Sequence, residues 1–244
     1  MRGKPFPNSW QNILDEKVPY YQKLPEKYQE ILRQRVMVFI NEKLFEGCGG
    51  LRMTDQKKVI ISAYACVLLL EETSDYYPDL QTILVYPDDY IAPVHEEDET
   101  GIVTTGSEAR KGESWNTGSI VLSWSDIEDN IYDENKKQNL IFHEFAHQLD
   151  QRYGLTAGIT LEGNVIQKNE WNNILATSYK ELCRKVKRNE NSVLDEYGAT
   201  EPAEFFSVAT EAFFENPIKL KQEYKNLYKQ LFSFYKIDPV DFGK

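Results

Sequence analysis

The residue types most able to do chemistry sit in one pentapeptide, HEFAH, which runs from His143 to His147. The 244-residue chain has three histidines, His95, His143 and His147, and two of them lie here at i and i+4. On a helix those positions are about 40° apart on one face, so both imidazoles reach a single point in space. Imidazole suits a borderline-soft divalent cation, zinc above all. Glu144 stands beside the first histidine, outside the ligand pair but within reach of a water on such a cation, where it can act as a base. Leu140, Ile141, Phe142, Phe145, Ala146 and Leu149 make the surrounding helix largely apolar. A buried helix carrying two histidines and a glutamate is costly unless those groups have partners. A metal ion supplies them; a helix used only for packing does not.

A catalytic zinc site takes three protein ligands and keeps one position for water. No histidine follows His147, and His95 lies upstream on an expected loop. The third ligand is therefore expected to be a carboxylate from another helix. Glu201, Glu204, Glu211 and Glu215 cluster in EYGATEPAEFFSVATEAFFENP. Glu204 and Glu211 share a helix face but are separated by about 10.5 Å along the axis, so only one of them can touch the ion. Spacing alone does not choose between them. Asp150, three residues after His147, reads equally as a carboxylate orienting a ligand or as a helix-end charge. Trp115 reads equally as a cleft-lining residue or a packing one.

The elements that must hold these residues follow from periodicity. A helix is expected from Pro25 to Phe45, with Tyr28, Leu32, Val36, Phe39 and Ile40 on one face. FEGCGGL should stop it, its glycines suiting a helix end and tight turns. Thr54 or Asp55 can cap a second helix through AYACVLLLEE, apolar on most sides and hence central. TILVYP, IVTT and SIVLSW are short, β-branched and bounded by Pro, Gly and Asp, so three or four strands are expected. From Asn135 the chain reads as helix through HEFAH to Gly154, then a loop, then two or three more helices. Helices, strands and helices in succession give a mostly helical α+β fold. One domain over 1–244 is expected, with helices at about 8–72, strands at about 80–124 and further helices at about 135–236.

Composition narrows the class. With 41% hydrophobic and 13% aromatic residues the chain can build a core. A net charge of -11 speaks against nucleic acid and anionic membranes as partners. Cys48, Cys66 and Cys183 are odd in number and form no CxxC pair, so no thiolate zinc site is expected and a reducing compartment fits. The N-terminus has no apolar run of the secretory kind, and no stretch approaches the ~18 apolar residues of a membrane span. A cytoplasmic protein is expected.

Several segments together carry a resemblance to a known family. FEGCGGL with TDQKKVIISAYACVLLL, GESWNTGSIVLSW, HEFAHQLD and EPAEFFSVATEAFFENP span roughly residues 45 to 217. They resemble the Mlc titration factor A family of zinc peptidases, whose catalytic domain is similar to that of the anthrax lethal factor protease. The resemblance implies a zincin-type metallopeptidase domain, gluzincin-like, with a small strand region beside the active-site helix. It implies His143 and His147 as zinc ligands, Glu144 as general base, Glu204 as third ligand and Tyr197 as a tyrosine facing the zinc. It implies that GESWNTGSIVLSW forms a strand beside the cleft whose edge pairs with an extended peptide. Two other functions compete with proteolysis of a peptide or protein substrate. One is sequestration of a transcriptional repressor, which members of the resembled family bind, with weak proteolysis; the other is hydrolysis of a small amide.

Overall fold

The structure, a computed structural model, describes residues 5–72, 76–88, 90–97, 103–110, 112–115, 118–132 and 138–242, with backbone alone between 90 and 115. Three helices open the chain: α1 (Asn8–Lys17), α2 (Pro19–Lys23) and α3 (Glu26–Glu42). In α3 the buried residues are Leu32, Val36 and Phe39, at i, i+4 and i+7, the spacing that puts one apolar stripe on the core. Tyr28 and Ile40 flank that stripe, half-buried against it.

The chain then does more than end a helix. Leu44–Gly47 form strand β1, which pairs in parallel with β2 (Thr82–Tyr86) from Leu44↔Thr82 to Gly47↔Val85. The glycines of FEGCGGL shape the turn after β1. A Cβ on Gly47 would sit 1.9 Å from the Leu51 carbonyl oxygen, and Gly49 takes φ +58, so side chains there are excluded or strained. Helix α4 (Asp55–Val67) is capped by Thr54, whose hydroxyl accepts from the Lys57 N–H at 3.4 Å. Every residue from Val59 to Val67 is buried, as its all-round apolarity requires. It ends earlier than its apolar run, and Leu68–Leu70 continue into turns while staying buried.

Two strands, β3 (Tyr90–Glu97) and β4 (Val103–Arg110), form an antiparallel pair of their own, and β5 (Gly112–Trp115) and β6 (Ser119–Ser123) follow. His95, read from sequence as a loop residue, lies in β3 opposite Thr105. The main sheet has the order β1-β2-β6-β5; its first three strands are parallel, and β5 is an antiparallel edge. Ile83 and Val85 of β2 alternate inward, whereas β6 is buried at each position from Ile120 to Ser123. The expected strand SIVLSW stops one residue short of its tryptophan. Helix α5 (Trp124–Tyr132) starts there because the Ser123 hydroxyl accepts from the Asp126 N–H, a cap three residues along.

Helix α6 (Leu140–Tyr153) carries HEFAH. Asn139 caps it, its Oδ1 accepting from the Phe142 N–H at 3.1 Å. Gly154 ends it at φ 61, ψ 38, with its N–H donating to the Asp150 carbonyl, the left-handed stop that glycine favours. Helix α7 (Glu170–Lys187) and a 3-10 turn (Glu196–Ala199) lead to α8 (Pro202–Glu215), and α9 (Pro217–Glu223), α10 (Lys225–Tyr235) and a second 3-10 turn (Pro239–Asp241) follow. The result is a mostly helical α+β fold, with α6 packed against α4, α8 and β5.

Aromatic rings fix α6 in place. Phe142 is fully buried, with its ring centroid 5.5 Å from Tyr20, 5.4 Å from Tyr64 and 5.1 Å from Phe214. One side chain thus joins α2, α4, α6 and α8, beside the first histidine of HEFAH. We expect Phe142→Ala to cost about 3–5 kcal/mol, as large core truncations do, measured by denaturant unfolding. A loss below about 1 kcal/mol would mean that the site collapses around the missing ring and that this junction is not what positions α6.

Candidate metal centre

His143 and His147 project from one face of α6, with ring centroids 5.0 Å apart and Nε2 atoms 3.3 Å apart. Pro202 opens α8 at its first position, where its missing N–H costs nothing. Glu204 therefore lies in the first turn. Its Oε2 is 2.8 Å from His143 Nε2 and its Oε1 is 3.3 Å from His147 Nε2. Ligand atoms of His143, His147 and Glu204 all fall within 4.8 Å of one another. Two nitrogens bound at ~2.05 Å on a tetrahedral ion would be about 3.3 Å apart, so the histidine pair has the spacing such an ion asks for.

The protons point the same way. His143 Nδ1 lies 2.7 Å from Glu211 Oε1. A neutral ring that donates there keeps its lone pair on Nε2. That lone pair then faces the His147 ring nitrogen and the Glu204 carboxylate, an arrangement that a cation or a proton between them satisfies. Burial lowers the His143 pKa, but the hydrogen bonds to Glu204 and Glu211 raise it well above the usual imidazole range. Burial likewise raises the Glu204 carboxyl, yet the two histidines bring it down to about 2. The donor set, two imidazoles and one carboxylate, fits a borderline-soft divalent ion. The three side chains are 13 %, 15 % and 14 % exposed, recessed but not sealed from solvent.

Around the cluster stand the other sequence candidates. Glu144 is buried, and burial raises its carboxyl while His143 and His147 pull it down. Tyr197 is half-exposed on the 3-10 turn, its ring centroid 6.0 Å from that of His143. That turn is pinned by the Asp195 carboxylate, which accepts from the Tyr197 N–H at 2.9 Å, and by the Thr200 hydroxyl, which donates to the Tyr197 carbonyl at 2.7 Å. Glu211 lies on the far side of the His143 ring. Glu215 meets Asn139, whose Nδ2 donates to its Oε1 at 2.8 Å. Glu201 is the exposed residue just ahead of α8 and is not drawn into the cluster. Asp150 does not orient a histidine in these contacts; its two oxygens accept from the Thr156 N–H and hydroxyl at 2.8 and 2.5 Å, anchoring the loop that follows α6. The side chains of Trp115 and His95 lie outside the described residues. Asn139 was not singled out by sequence, although an Asn directly before an apolar helical run is a helix-start signal.

A mostly helical α+β chain whose central helix and a neighbouring one bring His, His and Glu together has the makings of a metallopeptidase. The chain belongs to the glucose-regulated metallo-peptidase M90 family, whose profile matches residues 1–236. Among its relatives, an uncharacterized protein of Synechocystis sp. is 37% identical over 238 residues, covering 97% of this chain and 86% of that protein. Mlc titration factor A of Serratia proteamaculans is 29% identical over 233 residues, 95% of this chain and 87% of the relative. Mlc titration factor A of Escherichia coli is 29% identical over the same length, 95% and 86% of the two chains. Membership of a metallopeptidase family implies a metal. Among the described residues, no helix is long and apolar enough to cross a membrane.

Proposed function

We propose that the chain is a zinc-dependent peptidase in which His143, His147 and Glu204 hold the ion. The observation that carries this reading is the convergence of two imidazole nitrogens and one carboxylate in a recessed, open cluster. Zinc held there would polarise the scissile carbonyl and lower the pKa of a water. Glu144 takes the proton from the attacking water and passes it to the leaving amine. Tyr197, on its pinned turn, donates a hydrogen bond to the oxyanion that develops on the carbonyl. Among the described residues β5 is a sheet edge, paired on one side and packed near α6; its other side takes an extended peptide by strand pairing, and that pairing favours a peptide or protein over a small amide. One metallopeptidase domain spans 1–244, in keeping with a core cluster that runs from Leu14 to Ile237. Three free cysteines fit a reducing cytoplasm, and the net charge of -11 fits a protein without nucleic-acid or membrane partners.

A second reading draws on the relatives' name, Mlc titration factor A: the chain sequesters a transcriptional repressor and cleaves peptides weakly. Digestion of a peptide library by zinc-loaded and chelator-treated protein tests the first. Cleavage lost on chelation and restored by zinc is expected. Cleavage that survives complete zinc removal overturns it, and no cleavage in either state leaves sequestration as the better account.

A further inference from the structure

We propose that Glu211 is a positioning residue for His143, fixing which ring nitrogen faces the metal cluster and tying that ring to the first turn of its own helix. The inference rests on the reading of His143, His147 and Glu204 as metal ligands. An imidazole turns about its Cβ–Cγ bond in a broad, roughly two-fold torsion, so a ligand histidine needs a second contact to hold its plane and tautomer. Glu211 provides it: Oε1 lies 2.7 Å from His143 Nδ1. Its other oxygen, Oε2, accepts from the backbone N–H of Asn139 at 2.6 Å.

That second contact gives the carboxylate its geometry. The N–H groups at the start of a helix have no partner inside it and favour a negative charge. At α6 the Asn139 N–H goes to Glu211, the Leu140 N–H to Asn130 Oδ1 at 3.0 Å, and the Phe142 N–H to Asn139 Oδ1. The Asn139 amide also donates to Glu215 Oε1, one helical turn beyond Glu211 on α8. Two carboxylates at i and i+4 of α8 thus grip the first turn of α6, and the nearer one reaches through to the ligand ring. Glu211 is 4 % exposed, so water does not substitute freely for either donor. Both its partners donate protons, which only a carboxylate can accept on both oxygens at once. In Glu211→Gln the amide nitrogen must face one of those N–H groups, and one contact is lost whichever way the amide turns.

The test is zinc competition against a chromogenic chelator with parent, Glu211→Gln and Glu204→Gln proteins, alongside nitrogen-15 NMR of the histidine rings in the zinc-loaded parent. Glu211→Gln is expected to take one zinc per chain at saturation but to bind it about 10- to 100-fold more weakly. The His143 ring of the parent is expected to carry its proton on Nδ1, protected from exchange, with Nε2 on the metal. Parental affinity in Glu211→Gln overturns the proposal alone. A His143 ring bound through Nδ1 also overturns it, and decides the matter in the parent if the variant does not fold. A parent that takes no zinc overturns the metal-site reading itself, and the proposal with it.

Discussion

A Glu144→Gln protein is expected to bind metal like the parent and to lose most of its turnover. Glu144 adjoins His143, yet its carboxyl is not among the three groups that converge. The amide is the same size and remains polar, so packing inside α6 should survive, but it cannot take a proton. A positioned general base contributes on the order of 10²- to 10⁴-fold, and that is the expected drop in kcat, measured on a peptide cleaved by the parent. Burial raises the Glu144 carboxyl, while the neighbouring histidines lower it; a cation in the cluster would lower it further. The net shift is upward, since burial and the Glu204 and Glu211 carboxylates outweigh the two histidines. Turnover at the parental rate in Glu144→Gln would remove the base from the mechanism. The same variant separates the two functions, since sequestration of a repressor needs no base and would persist.

The second large effect is expected from Glu204→Ala. This carboxylate faces both Nε2 atoms, at 2.8 and 3.3 Å, whereas Glu211 meets the His143 ring at Nδ1, on the side away from them. Removing Glu204 takes away a third of the donor set and its only negative charge. Binding should fall below stoichiometric, while Glu211→Ala should weaken it without abolishing it. The reverse order would move the ligand role to Glu211. Removing Glu204 also takes away one of the two carboxylates whose hydrogen bonds raise the His143 pKa, so that ring's pKa should fall in the metal-free variant.

Local sequence rules reached part of this architecture. HEFAH on a helix, Gly154 at its end, the Leu32–Val36–Phe39 stripe and the Thr54 cap are all short-range features, and the chain carries them openly, whereas the helix expected from Asn135 begins, among the described residues, at Leu140 behind its Asn139 cap. Strand β1 is different. Its four residues alternate between exposed and half-buried, too weak a pattern to stand out, and its partner β2 is more than thirty residues on. Helix α5 hides behind a strand-like run because Ser123 ends β6 and caps α5 at once. Leu68 to Leu70 are apolar and buried without being helical, since apolarity reports burial and not backbone shape. In the cluster, two members are legible from spacing. The third is not: Glu204 and Glu211 share a face, and only the way α8 crosses α6 decides which carboxylate meets the Nε2 atoms. The link from Asn139 to Glu211 has no sequence signature, because a backbone N–H gives a side chain nothing to recognise in the code.

The central claim is that His143, His147 and Glu204 hold one zinc ion. Its most direct test is the zinc content, by elemental analysis, of the parent and of Glu204→Ala after both are loaded with zinc and exhaustively dialysed. The two imidazoles and the carboxylate are already gathered within 4.8 Å, so the parent should need little rearrangement to bind. One zinc per parent chain, with far less than one in Glu204→Ala, is the predicted result. A parent that retains no zinc after loading, or a Glu204→Ala protein that retains as much as the parent, would contradict it.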